Sequence, residues 1–187
     1  MALSSPAELA ERCQPIELLV TDVDGVMTDG RIVLDDRGVE TKHFHVRDGL
    51  AFSLWHKAGK QSAILSGRKA PAVTFRAADL KIAHVLLGIE QKGAPLRTLI
   101  TQLGLTPRQV CYVGDDLPDL PALSTVGLAA CPVDAAAEVK AVAHLVTRVC
   151  GGYGAIREIV EVILKSQGTW LNLIGAAGTE SDLSSPI

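Results

Sequence analysis

The chain lacks the excess of basic residues that nucleic-acid-binding proteins carry. Its 187 residues include 18 Lys or Arg and 21 Asp or Glu, for a net charge of −3 at pH 7. We therefore expect no nucleic-acid partner. The chain also lacks an apolar stretch long enough to cross a bilayer, so we expect no membrane partner. An apolar fraction of 48% is that of an ordinary globular protein.

Cysteines are few and scattered. Cys13, Cys111, Cys131 and Cys150 form no C-x-x-C pair, a distribution that favours reduced thiols over disulfides or zinc ligands. The first fourteen residues have no basic start followed by an apolar core, so we expect no secretory signal. Together these absences predict a cytoplasmic protein.

The most informative stretch is an apolar run, residues 16–20, that ends in two acids, Asp22 and Asp24. A short apolar run bounded by turn signals is typical of a strand buried on both faces. In extended chain, both carboxylates leave the same face and repel, so one pKa rises unless a cation intervenes. The pair indicates either a bound metal or a carboxyl group kept protonated for acid catalysis; the alternative is a strand that simply ends in an acidic turn.

Strands and helices alternate along the rest of the chain. This pattern predicts an α/β fold, with a Rossmann-like parallel sheet and helices on both faces. We expect one domain over residues 1–168 and a flexible tail over 169–187. Further strands are predicted at 61–65, 82–86 and 109–113, with two edge strands at 127–130 and 144–147. A β-hairpin is predicted with arms at 27–34 and 39–46, followed by a helix at 50–58.

Candidate functional residues follow several of these strands. Asp22 and Asp24 end the first, Ser66 the second, and Asp115 and the adjacent Asp116 the fourth, while Lys92 follows the third. Carboxyl ends of parallel strands share one edge, where open α/β sheets bind ligands. Acids with one lysine and one hydroxyl suit magnesium and phosphate, because magnesium prefers carboxylate, water and phosphate oxygens. A carboxylate there can attack phosphorus, a second can transfer protons, and the lysine can neutralise charge.

These residues resemble four motifs of the haloacid dehalogenase superfamily of phosphatases: Asp22-x-Asp24 with Asp29, Ser66, Lys92, and Gly114-Asp115-Asp116 with Asp119. The resemblance implies that Asp22 is the nucleophile and Asp24 the general acid/base. It implies Mg²⁺ held by the carboxylates of Asp22 and Asp115 and the Asp24 carbonyl. It further implies that Asp119 holds Lys92 and that Asp116 supports the metal.

The chain is similar to the small branch of that superfamily that lacks a cap domain, because the segments between motifs leave no room for one. That branch implies an eight-carbon sugar-acid phosphate as substrate, in the synthesis of a lipopolysaccharide precursor; a nine-carbon sialic-acid-type 9-phosphate is the alternative. It also implies a homotetramer in which the hairpins of the subunits lie together around the axis and a neighbouring subunit closes each site. Residues 151–154 could then reach the site of an adjacent subunit. The substrate residues it implies, besides Asp24 and Lys92, are His45, Val46, Arg47, Asp48, Gly49, Arg68 and Arg76.

Two other classes of protein use similar residues. A phospho-accepting signalling receiver also combines an acidic cluster, magnesium and a lysine, but it keeps its acyl phosphate, whereas Asp24 provides an acid/base. A non-catalytic assembly domain is disfavoured because all four catalytic positions are filled. The alternative for the arginines is solvated surface charge: it stays open for Arg76, inside a helix, whereas Arg47 and Arg68 lie next to motif residues, which favours function. His43 and His45 can be polar members of a strand face rather than metal ligands.

Overall fold

A computed structural model describes residues 5–179 of the chain. Its helices and strands follow in chain order: α1 Pro6–Cys13, β1 Leu18–Thr21, β2 Val33–Leu34, β3 Glu40–Thr41, α2 Val46–Lys57, β4 Gln61–Ser66, α3 Pro71–Asp79, β5 His84–Leu87, α4 Gly93–Gln102, β6 Val110–Val113, α5 Leu120–Leu123, β7 Leu128–Cys131, α6 Ala137–Val142, β8 Leu145–Val146, α7 Ala155–Ser166 and α8 Trp170–Thr179. Short 3₁₀ turns precede β6 and α5, at Pro107–Gln109 and Leu117–Asp119.

Six strands form one parallel sheet in the order β5-β4-β1-β6-β7-β8. Strand β1 lies at its centre, with Val20 paired to Ala63 on one side and Tyr112 on the other. All four residues of β1 are buried, as the apolar run predicts. The α/β prediction is therefore confirmed. The prediction of two late edge strands is wrong for β7, which lies between β6 and β8; the edges are β5 and β8.

Alternate residues of the strands face two separate apolar layers. Leu19, Ile64 and Val113 point to one face, where they pack with residues of α2, α3 and α7. Leu18, Ala63 and Tyr112 point to the other, where they pack with residues of α4, α5 and α6. Helix α7 fits its layer because Ile156, Ile159, Val160, Ile163 and Leu164 form one buried stripe.

The segment between β1 and α2 differs from the prediction. The hairpin exists, but its strands β2 and β3 have only two residues each. Its predicted first arm is shorter because the Val23 carbonyl accepts hydrogen bonds from the backbone N–H groups of Val26, Met27 and Thr28, which turns the chain back on itself. Its second arm ends early because His45 caps α2, which begins at Val46 rather than at residue 50.

The predicted C-terminal tail begins with a helix, and its flexibility stays a prediction. Residues Trp170–Thr179 form α8, and the Trp170 side chain, only 7% exposed, packs on the core. Its indole ring also lies 5.0 Å from the guanidinium of Arg157. Residues 180–187 lie outside the described part of the chain. Among residues 5–179, no helix is both long enough and apolar enough to cross a bilayer.

Candidate active site

The carboxyl ends of β1, β4 and β6 meet at one edge of the sheet and form a cleft of about 260 Å³. The cleft is lined by every predicted catalytic and metal residue: Asp22, Asp24, Ser66, Lys92, Asp115, Asp116 and Asp119. Of the predicted substrate residues, Arg68 also lines it. The topology explains this, because parallel strands bring residues that are distant in sequence to one edge.

Lys92 lines this cleft and links two of the acids. Its Nζ lies 2.5 Å from Asp22 Oδ2 and 2.6 Å from Asp119 Oδ1, and its side chain is 2% exposed. Burial lowers the pKa of Lys92, but the Asp22 and Asp119 carboxylates outweigh this and raise it. The lysine is therefore a fixed cation beside Asp22. A cation at this position can stabilise the negative charge that develops there during phosphoryl transfer.

Asp119 accepts four hydrogen bonds, which leave it no free oxygen. Its Oδ1 accepts from Lys92 and from the Tyr112 hydroxyl (2.7 Å), and its Oδ2 accepts from the backbone N–H groups of Asp115 (2.9 Å) and Asp116 (3.2 Å). Asp119 thus holds both Lys92 and the loop after β6. Tyr112 could not be singled out from the sequence, since an apolar run predicts only that its side chain is buried.

The Asp116 carboxylate is exposed and accepts from the backbone N–H of Leu117 at 2.8 Å. It caps the following 3₁₀ turn, so its observed contacts are local.

Two glycines allow the carboxylates to approach the backbone. Gly25 has a φ of +79°, a conformation that side chains disfavour, and a Cβ there would overlap the Asp115 carboxylate. At Gly114 a Cβ would lie 2.5 Å from Asp119 Cβ. Because Gly25 has no side chain, the loop after β6 can pack directly against the backbone of the loop after β1. This contact brings Asp115 beside Asp22.

The cleft has the electrostatics of a cation site. Asp22, Asp115 and Asp119 each offer an oxygen within 4.8 Å of the others. Burial raises the pKa of Asp22 to about 6 although Lys92 opposes it, and burial together with the Asp119 and Asp22 charges raises that of Asp115 to about 8. Because the oxygens of Asp119 are all occupied, Asp22 and Asp115 are the carboxylates that fit Mg²⁺.

The Asp24 carboxylate has different neighbours. Lys42, after β3, donates from Nζ to Asp24 Oδ1, and it also donates to Glu40 Oε1 at 2.8 Å. Glu40 in turn accepts from Arg68 Nη2 at 2.9 Å. Glu40 and Lys42 could not be singled out from the sequence, because alternation along the hairpin arm does not show which element that arm contacts.

Six of the predicted substrate residues are not among those that line this cleft in the described part of the same chain: His45, Val46, Arg47, Asp48, Gly49 and Arg76. The His45 ring accepts from the backbone N–H of Arg47 at 3.2 Å and caps α2. Val46 is 80% exposed. Arg47 lines a second cleft of about 220 Å³ together with Tyr153 and Arg157.

Asp48, Gly49 and Arg76 have structural contacts. The buried Asp48 accepts from the backbone N–H of Arg157, at the start of α7, at 2.7 Å. Arg76 pairs with Asp79 and lies 5.7 Å from the Phe44 ring. A Cβ at Gly49 would lie 2.7 Å from Arg76 Nη2, so glycine gives that guanidinium its space.

The glycine-rich stretch before α7 packs on its own chain. The Gly152 N–H donates to the Val26 carbonyl at 3.0 Å, and a Cβ at Gly151 would overlap the Gly25 carbonyl. This stretch therefore supports the loop after β1. The side chain of Tyr153 remains 55% exposed.

Comparisons with known proteins agree with this geometry. The family model of haloacid dehalogenase-like hydrolases matches residues 89–151. The 3-deoxy-D-manno-octulosonate 8-phosphate phosphatase KdsC of Haemophilus influenzae is 41% identical over 86% of this chain and 89% of its own length. The Yersinia pestis enzyme of the same name is 40% identical over 91% of this chain and 90% of its own.

Solved structures are similar over the same extent. The Yersinia pestis phosphatase superposes with a TM-score of 0.85 at 40% identity and covers 87% of this chain and 88% of its own. The Moraxella catarrhalis phosphatase, solved with magnesium, phosphate and a KDO molecule, gives a TM-score of 0.89 at 36% identity. The match covers 91% of this chain and 98% of the Moraxella chain.

Fold, cleft and relatives together define a haloacid dehalogenase-like hydrolase that acts on a phosphate monoester. Within that class, the chain belongs to the family of 3-deoxy-D-manno-octulosonate 8-phosphate phosphatases.

Proposed function

We propose that this protein is a magnesium-dependent phosphatase that releases the sugar acid from 3-deoxy-D-manno-octulosonate 8-phosphate, a step toward a lipopolysaccharide precursor. The observation that carries the proposal is the placement of Asp22, Lys92, Ser66 and Asp115 around one cleft. The family relationship supports the substrate, since relatives of 40% identity carry that activity in their names.

Asp22 is the proposed nucleophile. Its Oδ1 accepts from the backbone N–H of Val23 at 2.7 Å and its Oδ2 from Lys92, so the carboxylate is fixed at the end of β1. It attacks phosphorus and forms an aspartyl phosphate as the sugar oxygen leaves. Lys92 and the Ser66 hydroxyl stabilise the phosphoryl oxygens, and Asp24 protonates the leaving oxygen and then accepts a proton from water.

Asp22, Asp115 and the Asp24 backbone carbonyl would hold Mg²⁺, with Asp116 beside them. The ion supplies positive charge that orients the phosphate and offsets the repulsion between the two carboxylates.

The test is release of free phosphate from a panel of phosphorylated sugar acids, including the eight-carbon 8-phosphate and a nine-carbon sialic-acid-type 9-phosphate. Chelation is expected to abolish turnover and added magnesium to restore it, whereas the Asp22→Asn variant stays inactive under both conditions. If the enzyme prefers the nine-carbon ester, that ester becomes the assigned substrate in place of the eight-carbon 8-phosphate. Undiminished turnover after exhaustive chelation would contradict the proposed magnesium dependence.

We also propose that the protein works as a homotetramer in the cytoplasm. Four apolar side chains of the hairpin are markedly exposed in one chain: Ile32 (55%), Val33 (44%), Leu34 (58%) and Val39 (55%). Four exposed apolar side chains on one surface element favour an interface there. The exposed residues among the predicted substrate residues outside the cleft, Val46 and Arg47, would then serve the cleft of a neighbour, and the four free thiols suit a reducing compartment.

Light scattering is expected to give a mass near four chains. Charged substitutions at Ile32 and Val33 should split the assembly and weaken sugar-phosphate turnover more than turnover of a small aryl phosphate. The exposed Arg37→Glu change at the hairpin tip is the matched control. A monomer with full activity and selectivity would contradict the assembly and leave the catalytic assignment intact.

A further inference from the structure

The base of the hairpin is tied to the proposed acid/base by one buried cation. The Lys42 side chain is 1% exposed, and its Nζ contacts only carboxylate oxygens among the contacts seen in the described residues: Asp24 Oδ1 and Glu40 Oε1. A lysine taken out of water needs paired charges of this kind, because an unpaired buried cation is costly. Lys42 thus has a fixed position, and it fixes the group to which it donates.

The two oxygens of Asp24 are in unequal surroundings. Oδ1 accepts from Lys42. Oδ2 is buried and has no hydrogen-bond partner among residues 5–179. Arg68 Nε forms an ion pair with it at 3.6 Å, which is longer than a normal hydrogen bond. Buried polar atoms without partners are rare and call for an explanation. Asp24 lines the cleft, where a substrate oxygen can supply the missing partner.

We propose that Lys42 is a positioning residue for catalysis: it anchors Asp24 Oδ1 and so reserves Oδ2 for proton transfer, while Glu40 holds Lys42 in place. This inference rests on the proposed phosphatase function. In the first step the Asp22–phosphorus bond forms, the bond from phosphorus to the sugar oxygen breaks, and that oxygen takes the proton from Asp24 Oδ2. In the second, water gives a proton to Oδ2 as its oxygen bonds phosphorus and the Asp22–phosphorus bond breaks.

The rival interpretation is that Lys42 only ties the hairpin to the domain. The two differ in which step suffers when the lysine is removed. Loss of positioning slows the steps that need Asp24, whereas loss of a tether reduces the fraction of folded or assembled enzyme and leaves the surviving molecules unchanged.

The substitution Lys42→Met keeps the buried aliphatic stem and removes the cation. With 4-nitrophenyl phosphate the leaving group needs no proton, so the phosphoenzyme still forms, but its hydrolysis still requires Asp24. We expect a burst of nitrophenol close to one equivalent per chain, followed by a steady rate about 10- to 100-fold below that of the native enzyme, part of the ~10²- to 10⁴-fold that acid–base catalysis supplies. The KM should stay unchanged or fall, because phosphoenzyme accumulates.

Arg37→Met is the matched control, since Arg37 lies on the same hairpin and pairs with Asp35 in its turn. It should behave as the native enzyme. Glu40→Gln is the second variant: it keeps a hydrogen-bond acceptor for Lys42 without the charge, and it should show a burst with a smaller loss of steady rate. It decides the matter if Lys42→Met does not fold.

A full burst with slow turnover supports the positioning role. Native turnover, or burst and steady rate falling together in proportion to folded protein, overturns it while the proposed function stands. A native enzyme that releases no phosphate in the presence of magnesium overturns the proposed function itself.

Discussion

Asp48 offers a sharp test of how the structure assigns roles, because its contacts differ from those expected of a substrate residue. It is 3% exposed, its Oδ1 accepts from the Arg157 N–H, and its Oδ2 has no hydrogen-bond partner among residues 5–179. Burial raises the pKa of Asp48 to about 6, against the hydrogen bond from Arg157, which lowers it. The perturbation is Asp48→Asn, which keeps the shape and one acceptor but cannot ionise.

The magnitude follows from linkage. One pKa unit is worth about 1.4 kcal/mol, so a rise from 3.8 to about 6 costs the ionised folded state roughly 3 kcal/mol. A carboxyl with a raised folded pKa binds its proton more tightly in the folded state, so native stability falls as pH rises from about 4 to 6 and then levels. Asp48→Asn lacks this loss. Because its amide brings donors of its own, we expect a gain of about 1 to 3 kcal/mol at pH 7.5 and little difference near pH 4.

Urea unfolding of both proteins with chelator present, at equal protein concentration and at pH 4, 5, 6 and 7.5, measures this difference. Burial also lowers the pKa values of His56 and His144, but both histidines are present in both proteins, so their contributions cancel in the comparison. Asp48→Ala serves as control: like Asp48→Asn it cannot ionise, but it loses the cap of α7, so it should be less stable than Asp48→Asn by about 1 kcal/mol at every pH. A difference that does not change with pH, or a native protein that is the more stable at pH 7.5, would refute the reasoning.

Two further predictions concern groups that support the cleft. Gly151→Ala places a methyl group against the Gly25 carbonyl, so it should displace the loop after β1 and lower phosphate release at least tenfold. Gly175→Ala, whose added Cβ would meet no described atom within 4 Å, should not. Tyr112→Phe removes a buried hydroxyl that donates to the Asp119 carboxylate at 2.7 Å. It should lower the free energy of unfolding by about 1.5 to 3 kcal/mol in urea titrations; an unchanged value would show that Asp119 does not need this donor.

The central sheet could be predicted because its information is local. An apolar run such as β1, bounded by acids, indicates a buried strand without knowledge of the rest of the chain. Spatial order is not local, and for this reason β7 was placed at an edge. Helix α8 was missed because Gly and Ser near the C-terminus suggest disorder, whereas Trp170 gains its order from packing on the core and stacking against Arg157.

The catalytic residues could be predicted because each lies at the end of a strand or a few residues after it, and these strands end at the same sheet edge. The groups that orient them could not, because their contacts cross the fold. The Tyr112 hydroxyl reaches Asp119 seven residues on, but Lys42 reaches back eighteen residues to Asp24, and Asp48 bonds a backbone N–H 109 residues away. No periodicity or spacing in the sequence encodes such pairs.

The hairpin links the proposed assembly to the proposed role of Lys42. Strands of two residues are too short to be stable alone, so contacts elsewhere must order β2 and β3. One set lies at its base, where Lys42 and Glu40 meet Asp24 and Arg68. The other would be whatever covers Ile32 and its exposed neighbours. An interface that orders the hairpin would therefore also hold Lys42 against Asp24, so a mutation that splits the assembly should slow phosphoenzyme hydrolysis even for an aryl phosphate too small to touch a neighbouring chain. Turnover of such a small ester that is wholly insensitive to assembly would show that the base contacts suffice by themselves.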